Sequence, residues 1–205
     1  MVLRPPGDAD LRFIVRVRND GGPASKEFIE ETKAKLAASQ LPRHENFRIS
    51  RVAIEFDLYE DDPGAIEKDV KTVSAALGLV LSVRDLGADE GARSLGQIIS
   101  LSKEMYAEER FWEVHEELES IWRGLKRGDP EKEVLQGLIL LAAAYVHKQK
   151  GEEAVALSVL HRARLRLVSF GGAAYHGIDI VSLIKSLTRV EEAGLVTYVK
   201  LPSAA

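Results

Sequence analysis

From Ser50 to Tyr59 the chain alternates more strictly than anywhere else. Val52, Ile54, Phe56 and Leu58 fall on one side, and Arg51, Glu55, Asp57 and Tyr59 on the other. A period of two puts these sets on opposite faces of a β-strand. The apolar face needs a cover, while the polar face is expected to meet water or a partner.

The flanking segments supply that cover. Leu11 to Arg18 also alternates, with Phe13, Val15 and Val17 on one face and Arg12, Ile14, Arg16 and Arg18 largely on the other. Ser25 is placed to cap a helix in which Phe28, Ile29, Thr32 and Leu36 recur at helical spacing. Asp62-Pro63 offers a cap and a first-turn proline for a second helix, with Ile66, Val70, Val73 and Leu77 as its stripe and Gly78 as its stop. Leu79 to Arg84 reads as a third strand. Strand, helix, strand, helix, strand with one polar sheet face implies a ferredoxin-like α/β sandwich over residues 1–88, one strand short. Residues 195–201, Leu-Val-Thr-Tyr-Val-Lys-Leu, are rich in β-formers and stop at Pro202. They are expected to return and join that sheet, because a lone strand leaves its backbone groups unsatisfied; a disordered end is the alternative.

Beyond a small, polar linker at 87–93 the signals are helical only. Helices are expected near 94–107, 110–123, 130–150, 152–169 and 179–193, broken at Asp129-Pro130, Gly151, Gly171-Gly172 and Gly177. The fold class is therefore α+β, a ferredoxin-like sandwich at 1–88 followed by an all-α bundle of five helices at 94–193. The third of these, Glu131 to Lys150, is apolar almost all round, as a central helix should be. Gly137 and Ala142-Ala143-Ala144 keep it slim.

Composition removes several classes of function. No apolar run of about 18 residues is present to span a membrane, and Met1 to Pro6 lacks the apolar core of a secretory leader. With no cysteine at all, disulfides, thiol catalysis and cysteine-ligated metals are excluded, and a cytoplasmic address is the simplest expectation. Few Asn and Met among abundant Glu, Lys and Arg fit a heat-adapted source. The net charge of −4 argues against nucleic-acid binding, although Arg162, Arg164 and Arg166 lie close together downstream of Lys148 and Lys150. No phosphate-loop, dinucleotide or nucleophile-elbow motif occurs, and no cofactor is expected.

The one constellation that could carry chemistry lies on the second helix of the bundle. On a helical wheel Phe111, His115, Leu118 and Trp122 share one arc, with Trp112 and Glu119 at its border. Glu113 and Glu117 project to the opposite, solvated side, and Glu116 is marginal. His115 is thus expected to be buried, walled by Phe111, Trp112 and Trp122, and paired with Glu119 one turn on. The short connection makes the next helix an antiparallel neighbour, and the rise per residue brings Gln136 level with the pair while His147 lies about 25 Å along. The expected cluster is His115, Glu116, Glu119 and Gln136. The tryptophans read as core and not as a stacking platform, and His161, beside Leu157, Leu165 and Val168, reads as a core histidine.

The run from Phe111 to Trp122 (FWEVHEELESIW), followed by Leu135-Gln136-Gly137-Leu138-Ile139, resembles the signature of domain-of-unknown-function family 309. Tyr175-His176-Gly177-Ile178-Asp179 is similar to a later Gly–Asp element of that family. The resemblance covers roughly residues 95–190. It implies a small helical bundle, brings no established activity, and leaves residues 1–90 as an appended module. His115-Glu116-x-x-Glu119 is also similar to the His-Glu-x-x-His of zinc metalloproteases, but Glu119 stands where the second ligand would be His. The Glu-x-x-His pairs of di-iron bundles are missing. His115 and Glu119 remain the candidate metal ligands, with Gln136 a poor third.

Together these features favour a non-enzymatic binding or interaction protein. It would self-associate through its exposed N-terminal sheet, and the His-Glu-x-x-Glu-x-x-Trp motif would be a buried structural network. The alternative is a metal-dependent, hydrolase-like enzyme using His115 and Glu119. A small-ligand or acid–base site at the same place stays open.

Overall fold

The computed structural model describes residues 11–88, 91 and 93–204. The chain divides into two compact units, Met1–Glu90 and Gly91–Ala205.

The first unit runs β1 (Leu11–Arg18), α1 (Lys26–Ala37), β2 (His44–Ile49), β3 (Ala53–Glu60), α2 (Ile66–Leu77), β4 (Val80–Asp85). The four strands lie in the order β2-β3-β1-β4, every neighbour antiparallel. This is the β-α-β-β-α-β arrangement of a ferredoxin-like sandwich. Ser25 caps α1 as its position implies, accepting from the Phe28 amide at 3.2 Å. Asp62-Pro63 instead shapes a turn ahead of α2, whose N-cap is Ala65. Phe13, Val15, Val17, Phe47, Ile54, Phe56 and Leu58 form the core with Ile29, Leu36 and Val73 from the two helices.

The fourth strand is β2, not the C-terminal segment. The single strand expected from Ser50 to Tyr59 begins at Ala53, after a tight turn in which the Ser50 hydroxyl accepts from the Ala53 amide at 2.8 Å. β2 carries one fully buried charge, Arg48, between the buried Phe47 and Ile49. Arg48 Nε donates to Glu55 at 2.6 Å and Nη2 to Asp57 at 2.9 Å, across the strand pair. A charged side chain in a strand is stable when its partner stands on the next strand.

That network also corrects the expectation of a wet sheet face. Asp57 is fully buried, and Arg48 and Glu55 nearly so. Arg12 donates to Asp57 from one side, and Arg16 approaches Glu55 at 3.6 Å. Burial by itself would depress the Arg48 pKa, but Glu55 and Asp57 outweigh it, so the guanidinium stays charged.

The second unit contains α3 (Leu95–Ala107), α4 (Phe111–Gly124), α5 (Pro130–Gln149), α6 (Glu153–Phe170), the short hairpin β5 (Ala174–Tyr175) and β6 (Ile178–Asp179), and α7 (Ile180–Ala193). α5 is buried on most sides. Gly137 is needed there, since a Cβ would stand 2.7 Å from the Leu167 side chain.

Residues 195–201 form no strand. Tyr106 Oη donates to the Val199 carbonyl at 2.8 Å, and the Val199 amide donates to Tyr145 Oη at 2.9 Å. Tyr198 packs its ring on Phe111 and Tyr145. Further on, the Asp179 amide donates to the Pro202 carbonyl. The tail's backbone does need partners, and tyrosine hydroxyls of its own unit supply them. Burial drives the Tyr106 pKa far up, which keeps this donor protonated. Among the described residues no helix is long and apolar enough to cross a membrane.

Candidate functional site

α4 starts after Glu109, whose φ of 59° turns the chain, and it buries Phe111, Val114 and Leu118. Its buried stripe is thus centred on Val114 and Leu118, not on His115 as the wheel suggests. The i, i+3, i+7 spacing of these apolar residues sets that phase. It carries Glu113 inward, where it is buried and not, as expected, facing water, and Arg110 forks onto it with Nε and Nη2 each 2.7 Å from a carboxylate oxygen. The hydrogen bonds to Glu113 raise the Arg110 pKa further. Glu117 is likewise mostly covered and meets Arg93 at 2.9 Å. The buried polar residue of this helix is therefore Glu113, met by the partly exposed Arg110 at the N-cap, an arrangement that nothing in the Phe-Trp-Glu run announces.

His115 and Glu119 flank the apolar stripe one turn apart, each side chain 28% exposed, and Glu116 is 48% exposed. His115 Nδ1 lies 3.1 Å from Glu116 Oε1, and Glu119 takes a hydrogen bond from Arg123 at 2.9 Å. One ligand atom from each of His115, Glu116 and Glu119 lies within 4.8 Å of the others. Their open position corrects the picture of an imidazole sealed among aromatic rings. Gln136 is half-buried on α5, and no hydrogen bond of the described residues joins it to the three. Phe111 is core, whereas Trp112 and Trp122 are only partly buried. Lys132 Nζ sits 4.4 Å from the Trp122 ring centre, a cation–π contact.

The remaining histidines stand apart from this group. His147 meets Glu152 at 2.6 Å. His161 is exposed and lies 3.3 Å from Glu191, so it is a surface residue and not a core histidine. Arg164 and Arg166 pair with Glu191 and Glu133, as scattered ion pairs would.

Residues 101–159 match the family model of a domain of unknown function, DUF309. The match runs from within α3 through α4 and α5 into α6, so it contains the Phe111–Trp122 run and Leu135–Ile139 but not the Tyr175–Asp179 element, and it does not reach the N-terminal unit. No curated protein matches the chain. The matched segment carries, among the described residues, one group of three candidate ligand atoms, on the flank of α4.

A second surface, in the N-terminal unit, drew no attention in the sequence. Among the described residues β4 is an edge strand, bonded to β1 alone, and Leu79, Leu81 and Val83 are 53%, 43% and 37% exposed. Beside it α2 and the sheet enclose an open groove of about 420 Å³ whose floor is Phe13, Ile66, Val70 and Val83. The signal available was the uncharged run Leu-Val-Leu-Ser-Val at 79–83.

Proposed function

We propose that this is a non-enzymatic interaction protein that works in the cytoplasm and self-associates through its N-terminal sheet. The supporting observation is the exposed run Leu79, Leu81 and Val83 along the β4 edge, ahead of Arg84 and Asp85, where edge strands are ordinarily charged throughout, short or covered. Association runs through that edge and not through the polar sheet face, whose carboxylates already have buried partners. Nucleic-acid binding forms no part of this reading, and the ion pairs of Arg164 and Arg166 argue the same way. Light scattering of the full chain at micromolar concentration should give a mass above that of one chain. A single-chain mass across the whole accessible range would sink the proposal.

One observation favours a second reading, a metal-dependent enzyme of hydrolase type: His115, Glu116 and Glu119 hold three ligand atoms within 4.8 Å. Glu in place of a second His suits a harder, oxygen-preferring cation than zinc. Elemental analysis of protein purified without a metal-affinity tag separates the two readings. Stoichiometric metal that is lost in His115→Ala supports the enzyme. For the interaction protein, His115→Ala changes stability by less than about 0.5 kcal/mol, as surface substitutions do, and the purified chain carries no stoichiometric metal.

A further inference from the structure

We infer that the partner at the β4 edge is a second copy of this chain, joined about a two-fold axis near Val83, with Glu67 of each copy facing Lys71 of the other. This deepens the self-association reading and rests on it.

The backbone dictates the direction. Ile14 stands opposite Arg84 and Arg16 opposite Ser82, and the Leu86 amide donates to the Arg12 carbonyl. In an antiparallel ladder alternate residues bond to the same neighbour. Arg84 and Ser82 therefore spend their backbone groups on β1, while Val83 and Asp85 turn theirs outward. A strand with outward amides and carbonyls is a template for another strand. When the added strand is another β4 running antiparallel, Val83 of each copy exchanges both backbone bonds with the other.

Charge selects the copy over an unrelated strand. Glu67 and Lys71 lie one helical turn apart on the flank of the α2 groove, level with Val83 and Asp85. Both are exposed, and among the described residues neither has an ion-pair partner. A two-fold axis that pairs the β4 edges sets α2 antiparallel to its copy. A Glu and a Lys one turn apart then meet as Lys and Glu, twice, the self-complementarity an isologous contact requires. The same operation lays each Val83 and Leu81 against the open apolar groove of the other unit and removes them from water.

Glu67→Lys and Lys71→Glu, made separately in the full chain, test this. Each single variant sets like charges opposite one another at both contacts and should weaken the dimer about 100-fold, giving single chains in light scattering. In an equal mixture, one variant carries lysine at both positions of the pair and the other carries glutamate at both. Every contact between unlike copies then joins opposite charges, so a heterodimer should form with near wild-type affinity. Its formation also shows that both variants fold. If the wild type associates and the variants associate equally well, the copies meet elsewhere and this inference fails while self-association stands. Single chains for the variants that stay single on mixing overturn it too. A wild type that never associates removes both.

Discussion

The two edges of the N-terminal sheet treat the same problem in opposite ways. β2 protects itself. A bulge breaks its register between Glu45 and Arg48, and Asn46 there adopts φ 55° and donates to Asp57 at 2.7 Å. Arg43 folds back over the Tyr59 ring at 3.9 Å. Its outer edge is bent and charged, so another strand finds no straight template. β4 carries a bulge as well, between Arg16 and Val17 of its pairing with β1, but no charge from Leu79 to Val83. Within one fold, then, one edge is bent and charged and the other presents an exposed apolar run.

The largest effect expected on this contrast comes from Arg48, which ties β2 to β3. Arg48→Ala leaves Glu55 and Asp57 short of a buried cation and should cost about 3–5 kcal/mol in urea unfolding. Next is Val83→Lys. A lysine among the outward groups of β4 should weaken association about 100-fold, a loss of roughly 2.7 kcal/mol, with the unfolding midpoint of the single chain scarcely changed. Glu45→Lys, the equivalent change on β2, should leave association untouched, and light scattering of the pair shows whether the edges differ. Asn46→Ala removes a hydrogen bond to a buried carboxylate and a residue suited to positive φ, so about 1–2 kcal/mol should be lost.

The smallest effect concerns Glu60, at the end of β3, and it sharpens the comparison by leaving both edges intact. Hydrogen bonding to Asp69, then burial and the like charge of Asp69, push the Glu60 carboxyl up to about 7. A raised acid pKa favours the protonated group in the folded state. The stability it contributes is full below the unfolded value near 4.5 and is lost as pH climbs through 7. Glu60→Gln should flatten that decline, and unfolding measured from pH 4.5 to 8 reads it directly.

Much of this was legible in the residues. Helix ends were marked by Asp129-Pro130, which caps α5, by Gly78, which ends α2, and by Gly171, a left-handed C-cap. Strands β1 and β3 announced themselves by alternation. What local periodicity does not show is which charged or hydroxyl partner a buried polar group will find. His44 to Ile49 gives no clear strand pattern, because the charge of Arg48 finds its carboxylates on the next strand. In α4 the buried face is set by Phe111, Val114 and Leu118, which carries Glu113 inward to Arg110 and leaves His115 on the flank. The tail kept its need for hydrogen bonds but met them with Tyr106 and Tyr145, whose position no local pattern encodes.

Amide hydrogen exchange followed residue by residue by NMR, at rising protein concentration, tests the difference between the edges most directly. Protection at the Val83 and Asp85 amides should grow with concentration while the outer amides of His44–Ile49 keep their rates. Exchange at Val83 and Asp85 that stays fast at every concentration, or protection that grows at β2 instead, would contradict the account.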